Sequence, residues 1–130
     1  MTHELIISRR KIIVAAQIEG INDCVEYKFI LDTGASKSVI DDGVAIRLGF
    51  DLKNLKRGDR LMTAGGGTNS KILELPKFSL FGIDFVNFEV NVINMPLQIT
   101  FFAHGLIGMD FLLQFNSIKF DFDKKIIETL

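Results

Sequence analysis

The sequence has 130 residues, 48% of them hydrophobic, which suits one domain with a sizeable core and neither a disordered nor a membrane-spanning chain. Fifteen Lys and Arg stand against 16 Asp and Glu, a formal net charge of -1, so the basic excess that marks a nucleic-acid-binding surface is missing. Cys24 is the one cysteine and His3 and His104 lie far apart, so an internal disulfide and a four-cysteine metal site are excluded, and neither metal nor cofactor is expected.

At the N-terminal end, "SRRKIIVAAQ" sets basic residues before an apolar stretch, as a signal peptide does. Ile12 to Ala16 is shorter than an apolar signal region of about 7 to 15 residues. No stretch reaches the ~18 apolar residues that cross a bilayer. The chain as given therefore reads as soluble, without a membrane partner, and a cytoplasmic location is favoured. "RRK" at 9–11 and "KNLKR" at 53–57 read as solvated loop or edge charges, with an anion site as the alternative.

Alternation of period two dominates the chain. Ile12, Val14, Ala16 and Ile18 share one strand face, and "EGIND" turns the chain. Val25, Tyr27, Phe29 and Leu31 alternate with Glu26 and Lys28 and lead into Asp32. "DDGVAIRLGF" predicts a short helix with Asp41 as N-cap, Val44 and Leu48 on one face and Gly49 as its stop. Val86, Phe88, Val90 and Val92 alternate with Asn87, Glu89 and Asn91. "MDFLLQF", 109–115, is apolar nearly all round and predicts a short buried helix. Ile118, Phe120 and Phe122 form one more strand face, and "DFDKKI" turns into a last strand over 126–130. Pro76 and Pro96 each suit a strand end. The pattern is one mainly β domain over 1–130 with about two short helices. Cys24 reads as a small strand residue. Twelve Phe with no Trp and one Tyr favour a core with few polar-edged aromatics.

Asp32 is the chemical feature. A carboxylate at the end of the apolar run Phe29-Ile30-Leu31 has two fates. It pairs with cations or donors as a structural group, or it shares one proton with a second carboxylate. Two like charges about 3 Å apart cannot both ionise, so one acid stays neutral and the other charged. Such a dyad activates water as base while protonating a carbonyl as acid. Thr33 both donates and accepts, Gly34 permits a tight turn and close approach, and Ala35 is small.

"LDTGAS", with Asp32-Thr33-Gly34 at its centre, resembles the active-site loop of aspartic peptidases. "HGLIGMDFL", 104–112, is similar to the downstream apolar-apolar-Gly motif, so Leu106-Ile107-Gly108 is expected as the strand beside the Asp loop. "TAGGGTNS", 63–70, falls where the family has its flap, a hairpin that closes over peptide, which places Ala64, Gly65, Gly66 and Gly67 against substrate. Read alone, that stretch is a flexible hairpin, and it lacks the Gly-Lys-Ser/Thr of a phosphate loop. Pepsin-like chains carry two Asp-Thr-Gly loops and this chain has one, which resembles retroviral-type proteases and is closest to bacterial retropepsin-like proteins.

The resemblance implies an all-β fold, a closed or partly closed barrel-like single lobe with one or two short helices. It implies an aspartic endopeptidase working as a homodimer on extended peptide or protein substrates. Asp32 would be catalytic, and Thr33 would bond across to the other loop. Ala35, where pepsin-like loops more often carry serine, implies a mildly acidic optimum. A non-catalytic dimerisation or peptide-binding module of the same fold is the rival. "SKSVIDDG" departs from the acidic pair of retroviral enzymes, and the flap carries no Tyr or Trp. The two ends, "MTHELIISRR" and "IIETL", occupy the places where retroviral termini interleave. Asp110 reads as a cap or first-turn acid of the second helix rather than a second catalytic acid. "ITFFAHG", 99–105, suits a substrate pocket, a dimer contact or core packing. Ser36 and Ser38 have no adjacent histidine and are not nucleophile candidates.

Overall fold

Apolar–polar alternation builds the strands, and one long-range pairing closes them. The structure, a computed structural model, describes residues 1–63 and 66–130. In chain order it has β1 (Thr2–Glu4), β2 (Ile6–Ser8), β3 (Lys11–Glu19), β4 (Cys24–Leu31), β5 (Val39–Asp41) and α1 (Asp42–Arg47). A single 3-10 turn follows at Leu52–Asn54, then β6 (Lys56–Arg57), β7 (Leu61–Thr63), β8 (Gly66–Thr68), β9 (Lys71–Leu80) and β10 (Ile83–Ile93). The chain ends with α2 (Leu97–Thr100), β11 (Gly105–Ile107), α3 (Met109–Leu112), β12 (Ile118–Asp121) and β13 (Ile126–Thr129).

The main sheet runs β2-β3-β4-β11-β5-β10-β9-β6. β3 also pairs with β9, Gln17 to Glu19 against Ser79 to Lys77, and this closes six strands into the expected barrel. Closure removes two open edges that would otherwise invite pairing with another chain. Val14, Ala16 and Ile18 of β3 and Tyr27, Phe29 and Leu31 of β4 face the interior. Ile13 and Ile30 are buried on the opposite face, where Ala103 and Ile6 cover them. Phe111 sits at the centre of the aromatic packing, its ring 5.1 Å from Phe85 and 5.8 Å from Phe78.

α1 forms as its sequence predicts. Asp41 accepts from Gly43 N, Val44 and Leu48 are buried, and Gly49 takes the left-handed backbone (φ 96°) that ends the helix.

Several expectations need correction. Phe122, expected on one strand face with Ile118 and Phe120, lies past the end of β12 and is exposed. Pro76 lies inside β9 rather than at its end. It faces Asn87, whose φ of 56° distorts β10 opposite a residue that has no N–H to offer. That distortion shifts the alternation. Val86 points outward, 69% exposed, while Phe85 and Phe88 pack on the core. The helix expected over 109–115 is regular only from Met109 to Leu112; Phe111 and Leu112 are buried, but Leu113 is exposed. A third helix, α2, follows Pro96 in a stretch without helical periodicity.

The two chain ends pair with each other. β1, β13 and β12 form a three-stranded sheet, with Thr2 opposite Glu128 and Glu4 opposite Ile126. The N-terminal ammonium donates to Thr129 O at 2.9 Å, and Thr129 N donates back to Met1 O at 2.9 Å. Leu5 and Ile127 anchor this sheet in the core. Among the described residues no helix is long and apolar enough to cross a membrane.

Candidate active site

β4 carries the chain from the buried core to a cleft, and Asp32 is the first residue past its end. The backbone there is held from one side by β11, which runs parallel to β4 with Leu106 opposite Ile30 and Ile107 opposite Leu31. Asp32 N donates to Ile107 O at 2.9 Å. Ala35 N donates to Asp32 O at 3.2 Å, closing the turn, and Gly34 N donates to Asp32 Oδ1 at 2.9 Å. Among the described residues that amide is the carboxylate's one hydrogen-bond partner. Thr33 is exposed, and its hydroxyl has no partner among the described residues.

A second set of bonds fixes the loop from below. Met109 N donates to Ala35 O at 2.7 Å and Asp110 N to Ser36 O at 3.2 Å. Ser38, buried, donates through N to both Asp110 carboxylate oxygens at 3.0 Å and through Oγ to Oδ1 at 2.7 Å. Ser38 Oγ accepts from Gly108 N at 3.0 Å, and Asp110 Oδ1 accepts from Phe111 N at 2.8 Å. Gly108 must be glycine for this approach: a Cβ there would lie 2.7 Å from the Lys37 carbonyl and 2.8 Å from Ala35 O. Asp110 is in the first turn of α3, the second of the two places expected for it; Gly108 is the N-cap, and the Asp110 side chain instead holds the Asp loop's continuation through Ser38.

The cleft above Asp32 has a volume of about 450 Å³. Asp32, Gly34, Ala35 and Leu106 line it together, so these expected residues share one site; Ile107 lies behind it in the core. Leu61 and Met62 enter from the β7–β8 hairpin, which is paired Leu61 to Thr68 and Thr63 to Gly66. Of the expected flap residues, Ala64 and Gly65 lie outside the described residues. Gly66 sits in the hairpin with φ 107°, and Gly67 O accepts from Arg60 Nη2 at 3.3 Å; neither lines the cleft. At the hairpin's base Asn91 Nδ2 donates to Ser70 Oγ at 3.0 Å, and Ser70 Oγ donates to Asp59 O. In 99–105, Ile99 lines the cleft, Phe101 is exposed, and Phe102 and Ala103 pack on the Ile13–Ile30 cluster, so that stretch serves both the pocket and the core.

Sequence reasoning missed several contributors, among them Lys11 and Lys37 on the cleft wall, Leu61 and Met62 from the hairpin, Met95 beside Ile99, and Ser38 as the partner of Asp110. "RRK" carried a partial signal for Lys11. Arg9 and Arg10 form the β2–β3 turn, whereas Lys11 reaches the cleft. "KNLKR" is largely exposed, as expected.

Two groups outside the cleft titrate away from their ordinary values. Asp84 is held low, first by the Ser79 hydroxyl that donates to it at 2.6 Å; desolvation opposes this, and the Lys77 ammonium adds a lesser lowering. His3 is held below its usual 6.5, first by partial burial and then by the neighbouring N-terminal ammonium.

Residues 14–111 match the aspartyl protease family. The chain is 33% identical over 123 residues to the uncharacterized protein RP867 of Rickettsia prowazekii (strain Madrid E), covering 90% of this chain and 51% of that protein. It thus spans about half the length of this curated relative. Among solved structures it is similar to a retropepsin-like aspartic protease from Rickettsia conorii, with a TM-score of 0.74, 27% identity, and coverage of 99% of this chain and 89% of that one. EIAV protease complexed with the inhibitor HBY-793 matches with a TM-score of 0.63 and 18% identity over 82% of this chain and 88% of that one. The retroviral protease-like domain of Ddi1 from Leishmania major matches with a TM-score of 0.62 and 20% identity over 92% and 87%. At those last two identities the likeness concerns the fold alone.

Proposed function

This chain belongs to the aspartyl protease family, and its fold is retropepsin-like; from that premise we propose that it is an aspartic endopeptidase acting as a homodimer on extended peptides. The carrying observation is Asp32, which stands at a strand end, opens onto an apolar cleft and accepts one backbone hydrogen bond. One carboxylate per chain makes half a dyad, so two copies meet at Asp32 to complete the site. The unpartnered Thr33 hydroxyl supports this, because it is free to bond to the other loop.

The dyad holds one proton between two carboxyls. The charged carboxylate takes a proton from water as the water oxygen bonds to the peptide carbonyl carbon. The neutral carboxyl gives its proton to the carbonyl oxygen, leaving a tetrahedral diol. A dyad proton then passes to the amide nitrogen, the C–N bond breaks, and the C=O bond re-forms with loss of a hydroxyl proton to the dyad. The products are an amine and a carboxylic acid. No covalent enzyme intermediate is formed. Substrate lies extended between the β7–β8 hairpin and Asp32, paired by its backbone.

Asp32→Asn removes the base without changing shape. Cleavage of a peptide library is lost while circular dichroism and solution mass stay as in the wild type. Full activity of the variant rules the mechanism out. The intramolecular pairing of β1 with β13 supports a second reading, a non-catalytic module, because these two strands are already taken up by each other rather than offered to a partner. A strict monomer at high concentration, without cleavage, decides for that module.

A further inference from the structure

We infer, resting on the peptidase reading, that Lys11 and Lys37 make this cleft select peptides in which an acidic side chain flanks the apolar residue seated beside Asp32. The wall is apolar where it is deepest: Ile30, Val39, Ile93, Met95, Ile99 and Leu106 line it. Among the described residues its charged groups are Asp32 and two lysines, with no further carboxylate. The whole chain carries a net charge of -1, so two lysines on one cleft wall are a local arrangement rather than a reflection of composition.

Each lysine is placed for this task. Lys11 follows the two-residue β2–β3 turn, in which Arg9 and Arg10 both take positive φ, 52° and 63°. Side chains other than Gly, Asn or Asp rarely occupy such a turn. The Arg9 guanidinium lies 5.4 Å from the Phe102 ring centre, and Phe102 packs on the Ile13–Ile30–Ala103 cluster, which tethers the turn to the cleft wall. The Lys11 ammonium has no hydrogen bond or ion pair among the described residues. Lys37 already binds a carboxylate, Glu89 Oε1 at 3.4 Å, with both side chains about half exposed. Exposed pairs of this kind contribute little net stability and exchange readily. A substrate carboxylate held by its backbone in the cleft displaces Glu89 at small cost.

The geometry of an extended peptide fits both demands. Successive side chains point to opposite faces, so an apolar residue can enter the wall while a neighbour reaches a lysine at the rim. A charge-assisted hydrogen bond in a partly desolvated groove discriminates Glu from Gln, which differ little in size.

The test compares kcat/KM for peptide series that keep one apolar anchor and place Glu or Gln at each flanking position in turn. Wild type, Lys11→Met, Lys37→Met, the double variant and Glu89→Gln are assayed, with thermal unfolding as the check on folding. Wild type is expected to prefer Glu about tenfold at one or more positions. That ratio falls toward one in the lysine variants, rises in Glu89→Gln, and shrinks at high salt. Cleavage without a Glu preference, or with a preference that survives in the double variant, overturns this inference and leaves the peptidase reading standing. Absence of cleavage by wild type and Asp32→Asn alike overturns the peptidase reading, and this inference falls with it.

Discussion

Asp110 Oδ1 accepts a hydrogen bond from Ser38 Oγ at 2.7 Å, joining residues 72 positions apart. Through it the short helix after β11 holds the segment that follows the Asp32 loop. Ser38 is buried, and its N–H and O–H both donate to this carboxylate. Asp110→Ala therefore strands Ser38 N–H and O–H and costs about 1–3 kcal/mol of stability. Activity falls further than stability, because the loop that aims Asp32 loses its clamp. Asp110→Asn keeps one acceptor oxygen and retains part of both. Urea unfolding and peptide cleavage, measured on the same preparations, separate the two effects.

Gly108→Ala pushes a methyl group against the Lys37 and Ala35 carbonyl groups. Backbone cannot swing aside as a flexible side chain can. We expect a loss of roughly 1–3 kcal/mol, typical of overpacking. A thermal midpoint unchanged from wild type shows that the close approach is not required.

Phe111 is fully buried, with ring contacts to Phe78, Phe81, Phe85, Phe88 and Phe115. Phe111→Ala removes the shared partner of this cluster and is expected to cost about 3–5 kcal/mol. Denaturant unfolding measures it. A loss below ~1 kcal/mol would mean that the neighbouring rings collapse into the space.

His3 gives the fold a pH dependence. Its folded pKa lies below the unfolded 6.5, so between the two values the unfolded chain binds more protons. The contribution is full above 6.5 and is lost as pH falls from 6.5 through the folded value. His3 Nε2 lies 3.1 Å from Thr129 Oγ1 and the ring packs on Phe81, so the strain falls on the β1–β13 sheet. His3→Gln flattens this part of the stability curve. Unfolding free energy measured between pH 7.5 and 5 for both proteins checks it; identical slopes sink the idea.

Much of the molecule is legible in local pattern. β3 and β4 alternate cleanly because one face of each meets the core, and α1 carries its own cap and stop in Asp41 and Gly49. β10 misleads because alternation assumes an undistorted strand, and Asn87 shifts the phase opposite Pro76. α2 escapes because four residues are too few to show a 3.6-residue period. At the site, "LDTGAS" and "LIG" point to the loop and the strand beside it, since both motifs are contiguous. Lys11, Lys37 and Ser38 carry no such mark, because their roles depend on neighbours distant in sequence.

By itself, then, the sequence determined the strand alternation, the placement of an acid at the end of a buried strand, and the motifs by which the family is known. Those are local properties, set by side-chain period and turn chemistry within a few residues. Tertiary structure alone decided that β3 meets β9 to close the barrel, that Asp110 grips Ser38, that the chain ends pair with each other, and that two lysines face the cleft. Each is a contact between segments far apart in the chain. Its free energy depends on burial and register that exist only once the whole sheet has formed.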